Sequence, residues 1–73
     1  MKADRFINLR IVEQTTNALY TEYVVESNTD EWSVIQRDNQ FGVTHRGRTY
    51  RPVTSTPQGQ TILQFVQKQL EIA

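Results

Sequence analysis

The hydrophobic pattern of this chain changes period once, at Thr54-Ser55-Thr56-Pro57. Before that point, apolar residues alternate with polar ones in short runs separated by polar turn clusters, the period-two signature of strands. After it they recur at helical spacing. Thr56 fits the N-cap of a helix, and Pro57 fits its first position, where the N–H that proline lacks would have no partner anyway. A helix over about 57–71 presents Ile62, Leu63, Val66 and Leu70 on one side, flanked by Phe65 and Ile72. Its opposite side carries Gln60, Gln64, Gln67, Lys68 and Glu71, which makes it a helix with one face to bury.

The period-two part divides into five runs, at about 5–13, 19–26, 32–37, 41–45 and 48–51. The gaps between them are short and rich in turn formers: Gln14 to Ala18, Ser27 to Glu31, Asp38-Asn39 and Arg46-Gly47. Gaps of that length join antiparallel neighbours, because a parallel crossover needs a dozen residues or more. Pro52 ends the fifth run, since it cannot donate to a ladder. The expected fold class is α+β: a four- to five-stranded antiparallel meander, then one C-terminal helix packed on one face, in a single domain over 1–73.

A chain of 73 residues buries only roughly 60% of its unfolded surface, so its stability is thin. Small domains add disulfides, a structural metal or oligomerisation. Cysteine is absent and His45 is the single histidine, so disulfides and the usual zinc sites are excluded. No cofactor is expected. Self-association, as a dimer, or a protein partner is the remaining route to extra burial. No apolar run approaches the ~18 residues of a membrane span. The opening Phe6-Ile7-Asn8-Leu9-Arg10 is too polar for a signal segment, so a soluble cytoplasmic protein is expected.

Alternation also sorts the strand residues by face. Ile7, Leu9 and Ile11 share one side with Leu19, Thr21, Tyr23 and Val25, and these should meet the helix. The other side would carry Phe6, Val12, Tyr20 and Val24 among Asn8, Arg10, Glu22 and Glu26. A sheet face left in water is normally cleanly polar. Phe6, Val12, Tyr20 and Val24 are therefore candidate contact residues for a partner or a second copy.

Eight basic and eight acidic residues cancel overall, but they are segregated. Every charge from Glu13 to Glu31 is negative, whereas Arg37, Arg46, Arg48 and Arg51 dominate the stretch that follows. Arg46, Arg48 and Arg51 join the candidate partner-binding set, because arginine and aromatic residues anchor protein interfaces. No nucleophile elbow, phosphate-binding loop or dinucleotide fingerprint is present. Ser33, Asp38 and His45 are the right residue types for a hydrolytic triad, but nothing in the sequence draws them together. The expectation is a non-enzymatic interaction module working through the second sheet face and the arginine-rich hairpin.

Two alternatives stand beside it. One is a single-stranded nucleic-acid binder using Arg37, Arg46, Arg48 and Arg51 on phosphates with Trp32 and Tyr50 as stacking platforms. The order of elements resembles the modules of Pur-type and Whirly-type single-stranded nucleic-acid binders. No motif of those families falls on this sequence, and five runs stand where they have four strands. The other alternative is a small inhibitor or adaptor using the acidic 13–31 segment against a basic site.

Overall fold

The computed structural model describes residues 6–47 and 49–72, the last of these without its side chain. Five strands follow one another: β1 (Arg10–Thr16), β2 (Thr21–Glu26), β3 (Glu31–Arg37), β4 (Gln40–Arg46) and β5 (Tyr50–Pro52). The helix α1 (Pro57–Ile72) closes the chain. The strands form one antiparallel sheet in the order β1-β2-β3-β4-β5, and α1 packs across β3 and β4.

The turns follow from their side chains. Asn17 accepts the backbone N–H groups of Leu19 and Tyr20 on its Oδ1, at 2.8 and 3.0 Å, which folds the β1–β2 hairpin. Ser27, buried between β2 and β3, accepts the N–H groups of Thr29 and Asp30 on its hydroxyl. Asp38 adopts φ 56° between β3 and β4, the left-handed conformation that Asp and Asn tolerate in tight turns. At the other edge Pro52 ends β5. Beyond it, Val53 donates to Val43 O at 2.8 Å, and the Thr54 hydroxyl accepts the Val43 N–H at 2.9 Å. A side-chain oxygen thus extends the ladder that proline interrupts.

The core lies between α1 and the sheet. Tyr23, Val25, Trp32, Val34, Val43 and Val53 supply the sheet side, and Ile62 and Val66 the helix side. Trp32 is fully buried and donates from its indole Nε1 to Gln58 Oε1 at 2.6 Å, tying β3 to the first turn of α1. Thr56 caps the helix as its sequence requires: its Oγ1 accepts the Gly59 N–H at 3.0 Å. The helix outruns the sheet, since Gln67 through Glu71 are all exposed, including Leu70 from the expected apolar stripe.

The largest departure from the sequence reading is at β1. The first strand was expected over 5–13, beginning on Arg5, outside the described residues. Residues 6–8 instead make a tight turn that ends on Asn8 at φ 61°, so β1 starts at Arg10 and runs on through Gln14, Thr15 and Thr16. Phe6 therefore leaves the alternation. It folds back on the helix side and stacks on Trp32, with ring centroids 5.9 Å apart and planes 17° from parallel. A second irregularity follows. The β1–β2 register passes from Ile11↔Val25 to Glu13↔Val24, so Val12 is an extra residue in a β-bulge. Tyr20, expected within a strand, lies in the β1–β2 turn.

Candidate interaction surface

The face turned away from α1 is organised by the register. Strict antiparallel pairing puts Glu22, Val24 and Glu26 of β2 beside Glu31, Ser33 and Ile35 of β3, and Thr44 and Arg46 of β4 beside Pro52 and Tyr50 of β5. One row crosses all five strands: Arg10 pairs with Glu26, Glu26 lies opposite Glu31, Glu31 meets Arg46, and Arg46 pairs with Tyr50. Two glutamates directly opposite each other repel. Each is relieved by its outer neighbour, Glu26 by Arg10 at 2.8 Å and Glu31 by Arg46 at 2.8 Å. Exposed pairs of this kind contribute about 0–1 kcal/mol each. Their main effect here is to hold Arg46 in place.

Arg46 has a further partner. Its guanidinium carbon lies 5.6 Å from the centroid of the Tyr50 ring, and Nη2 reaches Tyr50 Oη at 3.4 Å. The cation therefore sits toward the hydroxyl end of the ring, within cation–π range. The bond to Tyr50 is the first cause that raises the Arg46 pKa above its usual value, with Glu31 and Glu22 adding to it and burial opposing. Tyr50 remains 67% exposed, which leaves most of the ring open beside a fixed cation.

The interior of this face is quieter. Val24 is only 7% exposed, as is Ser33 opposite it. The Ser33 hydroxyl donates to Glu22 Oε2 at 2.5 Å. The face is thus largely polar and internally paired. The apolar residues assigned to it from alternation do not assemble there: Phe6 belongs to the core cluster, Tyr20 to a turn, Val12 to the bulge at the outer edge, and Val24 alone sits in the face.

The basic residues are also dispersed. Arg37 lies at the far end of β3 from Glu31, roughly 20 Å away at the usual rise of a strand. Arg51 pairs with His45, one position out of phase with Arg46, so it belongs to the helix side of the sheet. Arg48 lies outside the described residues. Trp32 is fully buried and offers no stacking surface. The sequence signal that would have found the Arg46–Tyr50 pair is their spacing across a tight turn, which places both on one face once the strands pair.

The triad residues are separated as well. Ser33 and His45 occupy opposite faces, and Asp38 lies in the β3–β4 turn. His45 pairs instead with Asp30, Nε2 to Oδ1 at 2.9 Å, and its ring lies 5.8 Å from that of Trp32. Among the described residues no group of three or more His, Asp or Glu side chains is arranged to hold a metal ion, and no helix is long and apolar enough to cross a membrane. No family model, curated protein or solved structure matches this chain. The element order shared with Pur-type and Whirly-type modules accordingly carries no argument about its function.

Proposed function

We propose that this chain is a non-enzymatic interaction module that binds a protein partner through the open sheet face, with Arg46 and Tyr50 as the anchor. The observation that carries the reading is the Arg46–Tyr50 pair itself: a largely exposed aromatic ring beside a cation already held by Glu31. Side chains of these two types dominate the energetics of protein interfaces, and a pre-ordered pair loses less entropy when it is covered. The separation of Ser33 from His45 on opposite faces favours binding over hydrolysis.

The charge pattern of the cross-strand row favours a different chain over a second copy on this face. The row reads plus, minus, minus, plus from Arg10 to Arg46. It reads the same from either end, so two copies laid face to face with their rows aligned oppose arginine to arginine and glutamate to glutamate. Nucleic acid is disfavoured because Arg37, Arg46 and Arg51, the described members of that set, do not converge and Trp32 is buried. The acidic-inhibitor reading is weakened because Glu26, Glu31 and Asp30 each already face a basic side chain.

Photo-crosslinking tests the proposal. A benzophenone amino acid placed at Tyr50 is expected to capture a discrete second protein in the native cell extract, and the same group at exposed Gln64 of α1 is not. Unlabelled wild-type protein should compete, and an Arg46→Ala protein should compete poorly. Equal capture from both positions, or none from Tyr50, rejects the assignment.

A further inference from the structure

The two edges of the sheet differ. The β5 edge is three residues long and ends on Pro52, which has no N–H to offer. The β1 edge is seven residues long, and six of the seven are exposed. Among the described residues β2 is the one strand beside it. The side chains of Gln14 and Thr16, on the helix side of the sheet, are exposed because α1 packs across β3 and β4 rather than over β1. A free row of backbone donors and acceptors can be satisfied by an extended chain, and the geometry decides which groups in that row are available.

Asn17 N–H donates to Tyr20 O at 3.0 Å across the hairpin, so the backbone groups of Asn17 face β2. In an antiparallel ladder the orientation alternates. The regular pairing Thr16↔Thr21, Thr15↔Glu22, Gln14↔Tyr23 and Glu13↔Val24 then turns Thr15 and Glu13 toward β2, and Gln14 and Thr16 toward the free edge. From this we infer that β1 pairs antiparallel with β1 of a second copy, on a two-fold axis at Thr15, extending the sheet across both chains. This goes beyond the proposed partner face and uses a different surface.

The register is selected by the backbone. With the axis at Thr15, Gln14 of each copy lies opposite Thr16 of the other, and both have outward groups to exchange. An axis at Gln14 would instead set the outward groups of Thr16 against Val12, inside the bulge, where pairing is irregular. The side chains agree with the Thr15 axis. Glu13, the one charge in the paired stretch, lies opposite the Asn17 amide and not another carboxylate. Leu19, at 69% exposure the most exposed large apolar residue among those described, comes beside Ile11 and Val12 of the second copy, and Val12 is itself 48% exposed. The Val12 bulge ends the pairing, and the two-fold axis, which uses the β1 edge of both copies at once, closes the contact at two chains.

So short a contact belongs at the small, weak end of protein interfaces, and the dimer is concentration-dependent. Sedimentation equilibrium up to about 1 mM, where contacts of this strength populate, should show a reversible monomer–dimer equilibrium. Gln14→Pro removes an outward N–H without touching the β1–β2 ladder. It should raise the dimer dissociation constant at least about tenfold with an unchanged far-UV spectrum, and Leu19→Asp should weaken association too. A monomer throughout overturns the inference, as does a dimer indifferent to both substitutions. A dimer lost instead on Tyr50→Ala also overturns it and would place self-association on the open face. Should Gln14→Pro fail to fold, hydrogen exchange on the wild type decides: the amides of Gln14 and Thr16 gain protection with concentration, or the pairing is absent.

Discussion

Gly59 gives the most direct test of how α1 is seated. It lies in the first turn of the helix with an ordinary negative φ, so Gly59→Ala meets no backbone strain. Propensity alone predicts that alanine stabilises an interior helical position by about 1 kcal/mol. The packing predicts the opposite. A Cβ at position 59 would lie 2.6 Å from the carbonyl carbon of Val53 and nearer still to its oxygen, where real Cβ contacts stay beyond 3.0 Å. That carbonyl cannot yield, because it accepts the Thr56 N–H at 3.0 Å and the Thr56 hydroxyl at 2.7 Å, while Val53 N–H is held by Val43 O. The helix start must move off the sheet and carry Gln58 away from Trp32. Overpacking of this kind costs about 1–3 kcal/mol, and a rigid backbone neighbour places it at the upper end. Against a total stability of about 4–11 kcal/mol for a domain of this size, a net loss of about 2 kcal/mol, after the gain in propensity is subtracted, is large. Urea unfolding followed by the fluorescence of Trp32, the single tryptophan, reads it directly. Thr61→Ala on the exposed side of the helix serves as the control and should change stability by less than about 0.7 kcal/mol. A Gly59→Ala protein as stable as wild type would refute the close approach of α1 to Val53.

Two further substitutions probe the same junction. Thr56→Ala removes the cap on Gly59 N–H and should lower the urea midpoint by an amount worth about 1–2 kcal/mol, with the slope unchanged; an unchanged midpoint would show the cap to be dispensable. Trp32→Phe deletes the bond to Gln58 and leaves a gap between Phe6 and His45, so circular dichroism should record a loss of about 2–3 kcal/mol. A change below about 0.5 kcal/mol, the size of a neutral surface substitution, would mean that Phe6 refills the site.

The sequence and the structure agree where a cap or a tight-turn residue decides the outcome. Thr56-Pro57 starts the helix, Asp38-Asn39 makes a left-handed turn, and the five strands pair in chain order. They part where the outcome depends on parity. Counting by twos assigned Phe6 to the open face, yet parity holds only within an unbroken strand, and Asn8 breaks it. The Val12 bulge shifts the count again within β1, and its presence is a property of the β1–β2 pairing, not of either run alone. In β2 the alternation is unbroken, and Val24 does sit on the open face. Burial was illegible for another reason. Val24 and Ser33 are covered without any helix above them. In the same way the helix pattern gave no sign that α1 would outrun the sheet and leave Leu70 in water.

The Arg46–Tyr50 anchor and the β1 edge place different demands on the fold. The Arg46–Tyr50 anchor spans β4 and β5, where Val53, Thr54 and the capped start of α1 lock the chain to the core. The β1 edge lies at the other side of the sheet and gains little from that core: beyond Ile11 its side chains are exposed on both faces. A strand held mainly by its ladder to one neighbour has a low local opening energy, so it is the element most easily stabilised by an added strand. Pairing two such edges would therefore raise protection in β1 more than in β4, whereas covering the Arg46–Tyr50 anchor would leave β1 as exposed as before. The two contacts are compatible in one assembly, because the β1 pairing extends the sheet sideways and leaves the open face of each copy free for a partner.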